Sequence, residues 1–311
     1  MTKQYDADTA TAENIGNAEK RVTMFSGKGG VGKTTCAAAT ALHYASQGKT
    51  TLVISTDPTP SLSDIFEIET VEKPVQVMQN LFMAELGMDE VKGMWDNKFG
   101  RDVYEVFSAL VSIEYEEFVD FITSILPGLR DEFMVDYVKN LSRDGSYDQV
   151  IWDTAPLGQT MGLLETPGML VEHLKPAPRI YSRLRLGRRR KRPILDVIKN
   201  WQNLSNEDIG FLNTEVEYIM VTIPEALAVQ QLKEVFTEFD EHGFGFDRLI
   251  VNNVIKTVDS EFLNLKKEQQ KGYLDFLHEH YGELNMIELP LFPHEVKGID
   301  RLRKVEALLF A

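Results

Sequence analysis

The sequence predicts an α/β protein with a mostly parallel sheet and an α-helical subdomain. Three observations carry this. Residues 21–55 read strand, glycine-rich loop, helix, strand, the opening of a parallel sheet. Further β-rich runs recur at Gln149 to Trp152, Val216 to Thr222 and Leu249 to Val254. Two long segments, about 88–140 and 160–210, are instead rich in helix formers and bulky apolar residues.

Taken in order, residues 1–20 are polar and weakly acidic without hydrophobic period, as expected of a flexible tail. Arg21 to Ser26 is a short strand. Cys36 to Ala45 is Ala-rich and reads as a helix. Thr50 to Ser55 is the next strand. The segment 88–140 carries Phe107, Leu110, Val111, Phe118, Val119, Phe121 and Ile122. The segment 160–210 is helical with expected breaks at Pro167, Pro176, Pro178 and Pro193. These two segments are expected to meet as the helical subdomain of a single 21–311 domain. Glu225 to His242 is a helix between two strands, and Arg301 to Phe310 closes the chain with an amphipathic helix.

With 311 residues and 43% hydrophobic content, the chain can bury a large core. Its net charge of −15 repels nucleic-acid phosphates, so no nucleic acid is expected as a partner. The one cysteine, Cys36, allows no intrachain disulfide and no thiolate cluster for a metal. It reads as a small buried helix residue. No signal peptide is recognisable, and no apolar run approaches the roughly 20 residues of a membrane span. A soluble, cytoplasmic protein is expected.

The run Gly27-Lys28-Gly29-Gly30-Val31-Gly32-Lys33-Thr34, followed by Thr35, fits G-x-x-x-x-G-K-T between a strand and a helix. Its glycines let backbone N–H groups converge on phosphate oxygens, and the helix N-terminus adds positive potential. Lys33 is expected on the β- and γ-phosphates, and the Thr34 hydroxyl on magnesium. The motif implies a P-loop nucleoside triphosphatase. Lys28 marks the deviant Walker A loop of dimeric ATPases, the class called SIMIBI. There this lysine reaches the partner's nucleotide, placing charge where the transition state needs it. Asp57 and Asp153 each follow a strand, where ligands of parallel sheets bind. One can orient the attacking water; the other can hold a magnesium-bound water.

With these elements placed, the chain resembles the arsenite-pump ATPase and tail-anchored-protein targeting ATPase family, called ArsA in bacteria and Get or TRC ATPase in eukaryotes. The matching residues are GKGGVGKTT at 27–35, STDPTPSLSD at 55–64, PGLRDE at 127–132, DTAPLGQT at 153–160, PE at 224–225, VNN at 251–253 and PLFPHEVKG at 290–298. The resemblance implies a doubly wound sheet with a helical subdomain, working as a homodimer that ATP closes around an apolar groove. It implies that Asp57 positions the attacking water within a first switch, residues 57–64. Asp153 would open the second switch and bind magnesium through water. Asn252 would contact adenine, with Glu225 nearby. Pro290, Leu291, Phe292, Pro293, His294, Glu295, Val296 and Lys297 would form the loop over the nucleoside. Without a guanine signature, ATP is the expected nucleotide.

Departures are informative. Thr59-Pro60 stand where the family usually has Ala-His, Leu157 and Gln159 where it has Thr and His, and Met161-Gly162 where it has Leu-Arg. These could alter hydrolysis or coupling. The zinc-binding cysteines of targeting members fall at Ser260 and Leu263, so no zinc is expected. Arsenite needs clustered thiolates that Cys36 alone cannot supply.

Three function classes follow. The first is a targeting ATPase for hydrophobic transmembrane segments. Its client groove would draw on Phe107, Leu110, Val111, Phe118, Phe121 and Ile122 on one side and Leu163, Leu164, Met169, Leu170 and Leu174 on the other. The second is a Min- or Par-like positioning ATPase, and the third a subunit energising a transporter. Membrane-protein partners and transient contact with a membrane receptor fit the first. The run 179–192 holds eight basic residues and fits contact with anionic lipid, RNA, an acidic partner or the acidic face of the same protein, or a solvated loop.

Overall fold

The computed structural model describes residues 20–311 except 58, 60, 70–72, 109–111, 126–128, 177 and 180–187, and except the side chains of residues 88, 89, 102, 106, 107, 122–125, 129, 130, 173 and 188–194. The expected tail, residues 1–20, thus lies outside the described residues but for Lys20, whose ammonium is 3.2 Å from Asp247 Oδ2. The basic run 179–192 lies largely outside them too.

Among the described residues, eight strands form one sheet: β1 Val22–Gly27, β2 Thr51–Ser55, β3 Val75–Met78, β4 Leu81–Glu85, β5 Gln149–Asp153, β6 Val216–Thr222, β7 Arg248–Val254 and β8 Asn285–Pro290. Their spatial order is β3-β4-β2-β5-β1-β6-β7-β8. Every pairing is parallel except β3 with β4. The central strands are buried on both faces along their whole length, so they are mostly apolar rather than alternating in polarity. Side-chain alternation still sorts them between two cores. Leu52, Ile54, Val150 and Trp152 enter one; Val53, Ile151 and Phe25 enter the other.

The second core is roofed by α1 (Lys33–Ser46), α2 (Leu62–Phe66) and the C-terminal α11 (Ile299–Leu309). In α1 the small side chains of Ala37, Ala38, Ala39 and Ala41 are fully buried, which brings this helix close to the sheet. Its neighbours include α11, and Phe310 stacks on His43 with ring centroids 3.6 Å apart.

The first core is covered by α9 (Ala226–Glu241), α10 (Glu261–Tyr281) and the two helical segments. One segment runs through α3 (Met88–Trp95), a π-helical turn Asp96–Gly100, α4 (Arg101–Phe107), α5 (Tyr115–Ile125) and α6 (Leu129–Arg143); the other holds α7 (Leu157–Leu174) and α8 (Arg188–Thr214). They meet: α6 packs on α7 and α8, and α4 on α8. The contact contains a buried polar cluster. Lys139 bonds Asp208 and lies 3.1 Å from Asp136, and Ser205 donates to Glu132.

The structure corrects two expectations about these helices. Pro167 and Pro193 do not break them; both lie inside. Proline removes only its own N–H, and near it the Thr166 hydroxyl donates to Gly162 O at 2.7 Å. Groove candidates also turn inward. Phe118 is fully buried between Trp95 and Tyr104, while Leu163 and Leu164 belong to the core. Phe121 and Met169 face outward, and Leu170 and Leu174 are half-buried. Leu110, Val111 and the side chains of Phe107 and Ile122 lie outside the described residues.

Elements absent from the sequence reading are α2, the β3–β4 hairpin, β8 and α10. The hairpin edge is short and half-exposed, and only Leu277 of α10 is buried, so neither shows a strong apolar period. Ser260 caps this helix: its hydroxyl accepts the Leu263 amide at 3.3 Å.

Candidate nucleotide site

The phosphate loop leaves β1 at Gly27. A Cβ there would sit 2.3 Å from Val221 O, so only glycine lets the chain turn so close to β6. At Gly32 φ is +99°, and a Cβ would lie 2.3 Å from the Asn252 amide nitrogen. The loop therefore fits against β7, where Asn252 Nδ2 donates to Val31 O at 2.9 Å. This bond ties the predicted adenine contact directly to the phosphate loop.

Lys33 opens α1 and is buried, its ammonium 3.2 Å from Lys28 O. Burial lowers its pKa, while Asp153 and Asp57 oppose that fall. Lys28 is half-exposed, and its ammonium has no carboxylate partner among the described residues. Gly29 and Gly30 are exposed at the loop tip, and Val31 anchors the loop in the core.

The two carboxylates meet beside Thr34. Asp153, at the end of β5, is buried, which raises its pKa to about 7 against the pull of the Thr34 and Ser55 hydroxyls and of Lys33. Ser55 Oγ donates to Asp153 Oδ2 at 3.1 Å, and the Asp57 amide approaches the same hydroxyl at 3.4 Å. Ser55 thus stands between the two acids, a role that no motif announced. Thr56 reinforces the junction: its amide donates to Asp153 O at 3.0 Å, and its hydroxyl accepts the Trp152 indole N–H at 3.0 Å. Asp57 itself is half-exposed, and its Oδ1 accepts both the amide (2.9 Å) and the hydroxyl (3.0 Å) of Thr59.

These residues fit magnesium. Asp153 Oδ1 is buried without a hydrogen-bond partner among the described residues. A buried acceptor of that kind needs a donor, and a metal-bound water supplies one. Thr34 Oγ1 is 3.4 Å from Ser61 Oγ, just before α2. Among the described residues no cluster of three His, Cys, Asp or Glu forms a separate metal site.

A cavity of about 180 Å³ adjoins the loop. It is lined by Thr35, Cys36, Asn252, Asn253, Leu289, Phe292, His294, Glu295, Val296 and Val305. Asn252 and much of the predicted nucleoside loop therefore share one pocket with Thr35. Pro290, Leu291, Pro293 and Lys297 belong to the same chain segment but do not line it. Nor does Glu225, which is exposed at the start of α9. Burial pushes the Cys36 thiol up to about 12, so it is inert packing at the pocket floor.

The comparisons with known proteins agree with this geometry. Residues 20–311 match the family model described as anion-transporting ATPase. ATPase GET3A of Arabidopsis thaliana is 29% identical over 324 residues, covering 96% of this chain and 86% of its own. ATPase get3 of Neurospora crassa is 26% identical, with 93% and 90% covered. An Aquifex aeolicus protein named for driving an arsenical pump is 28% identical, with 93% and 99% covered. With the phosphate loop and two acids at the C-terminal ends of the central strands, a cavity beside them, and a family match along nearly its whole length, the chain is a P-loop ATPase that belongs to the anion-transporting ATPase family.

Proposed function

We propose that this ATPase uses nucleotide-gated closure of a homodimer to hold and deliver hydrophobic transmembrane segments, such as those of tail-anchored proteins. The helices of 88–143 and 157–214 would act as its client-binding subdomain. The observation that carries this reading is the surface of those helices. Hydrolysing ATP requires no such layer, yet it exposes Phe121 (43%) and Met169 (47%). A groove of about 420 Å³ runs beside Met169; Leu164, Ile209 and Phe244 line it together with the polar Glu165, Glu172, Asn213 and His242. Flexible thioether and aromatic surfaces suit varied apolar helices.

In the ATPase step, Lys33 would hold the β- and γ-phosphates, and Lys28 would reach the partner's nucleotide. Asp57 would orient the attacking water once Thr59 releases it. Thr34 and Asp153, the latter through water, would hold magnesium, which when bound neutralises phosphate charge. Asn252 and the loop 290–297 would enclose the nucleoside. We place this work in the cytoplasm; among the described residues no helix is long and apolar enough to cross a membrane.

A second reading, energising a transporter, is favoured by the name of the Aquifex relative. Arsenite as the ligand is disfavoured, because the chain's single thiol is buried and protonated. Light scattering with and without a non-hydrolysable ATP analogue, paired with co-purification of a tail-anchored protein, tests the proposal. An analogue-dependent dimer that captures the client is expected. A strict monomer, or a dimer that never captures it, overturns the targeting reading.

A further inference from the structure

Glu85 is a third strand-end acid, and it belongs to no motif. It closes β4, in register with Ser55 of β2. The side chain is buried, and its Oε1 accepts the Ser63 amide at 2.9 Å. Ser63 lies in the first turn of α2, the helix that follows Asp57 in the first switch. The second oxygen, Oε2, is buried without a hydrogen-bond partner among the described residues. Nothing but α2 thus holds this carboxyl by a hydrogen bond among them.

What lies on either side of Glu85 gives that bond its meaning. The amide of Leu86 donates to Ser55 O at 2.9 Å, and Ser55 is the residue that joins Asp57 to Asp153. Three residues beyond Glu85, α3 begins, and its terminal Trp95 is buried against Phe118 of α5. The far end of α2 is tied as well: Ile65 O accepts the Gly298 amide at 2.8 Å, at the end of the nucleoside loop. The segment just before α2 reaches Thr34 through Ser61. α2 is therefore suspended between the phosphate loop, the nucleoside loop and β4, and β4 runs straight into the helical segment.

We propose that Glu85 is a positioning residue that makes the first switch and the helical segment move as one unit. It acts on hydrolysis through α2 and Asp57, and on the helices through the β4–α3 junction. The inference rests on the switch role proposed for residues 57–64. That role is tested separately by Asp57→Asn, so failure of one does not imply failure of the other.

The test compares Glu85→Met with Glu85→Gln in the full-length protein. Met fills the volume but accepts no hydrogen bond; Gln keeps a carbonyl oxygen for the Ser63 amide. Glu85→Met should lower kcat for ATP about tenfold with KM within about twofold, because the nucleotide pocket is untouched. Glu85→Gln should restore kcat to within about threefold of the parent. Hydrogen exchange supplies a readout that a merely structural role would not move. An ATP analogue should change protection of both α2 and α3 in the parent and in Glu85→Gln. In Glu85→Met the analogue should still bind, but the response at α3 should be lost. Wild-type kcat in Glu85→Met, or an intact α3 response in that variant, overturns the proposal. So does a Glu85→Gln variant as impaired as Glu85→Met.

Discussion

The Thr59 hydroxyl donates to Asp57 Oδ1 at 3.0 Å, on the same oxygen that accepts the Thr59 amide at 2.9 Å. This local turn occupies the carboxylate proposed to orient the attacking water. Thr59 also stands where the family's usual pattern has alanine, so the hydroxyl bond is a feature of this chain. Removing it while keeping the amide should ease release of Asp57. Thr59→Ala is expected to raise ATP turnover by about two- to tenfold, the equivalent of one modest hydrogen bond. Steady-state phosphate release measures this; unchanged or slower turnover would refute a braking role.

Lys33 and Asp57 should fail differently. Lys33→Ala removes the buried ammonium proposed to hold the β- and γ-phosphates, and ATP affinity should fall. Asp57→Asn keeps size and polarity but loses the charge, so binding should persist while hydrolysis slows about 100-fold or more. Stopped-flow binding alongside phosphate release separates the two. Wild-type turnover by Asp57→Asn would remove this residue from the mechanism.

The polar contact between α6 and α8 should make stability pH-dependent. Burial raises Glu132 from its ordinary 4.5 to about 8, with Asp208 and Asp136 adding to the rise and Ser205 and Lys139 opposing it. Between those two values the folded state keeps a proton that the unfolded state has lost. The contribution of Glu132 is thus fully present below its ordinary pKa and is lost as pH rises through about 8. Glu132→Gln can still accept the Ser205 hydroxyl but cannot ionise. Its melting temperature relative to the parent should climb from pH 5 to pH 8. Parallel melting curves across that range would show that the group is not buried as described.

The outward-facing apolar residues carry the client prediction. Met169→Asp and Phe121→Asp place charge on exposed positions, so folding should survive. Each should cut co-purification of a tail-anchored protein by about tenfold or more, since an apolar helix cannot satisfy a desolvated carboxylate. Turnover without client should stay within about twofold, because neither position touches the phosphate site. Full capture by both folded variants would move the client surface elsewhere.

Local chemistry was readable from the letters alone. The phosphate loop is contiguous, and its function depends on backbone freedom at particular glycines and on a lysine at the helix start. Strand, loop and helix there follow from neighbouring residues, so β1, α1 and β2 fall within a few residues of their expected limits. Asp153 was legible because it ends an unmistakable apolar strand.

The placement of Ser55, Glu85 and Gly298 was not, because their partners lie 22 to 233 residues away in sequence: Asp153 for Ser55, Ser63 for Glu85, Ile65 for Gly298. Parallel pairing of β2 with β4 and β5 places Ser55 beside Glu85 and Asp153, and helix α2 carries Ser63 and Ile65 to Glu85 and Gly298; no local pattern encodes register between strands or where a helix docks. Apolar content likewise located the helical segments but could not say which side chains they bury. Phe118 and Phe121 look alike in sequence, yet three residues of helix turn separate a fully buried ring from one that is 43% exposed. Only packing against Trp95 and Tyr104 decided that Phe118 became the core ring and Phe121 the more exposed one.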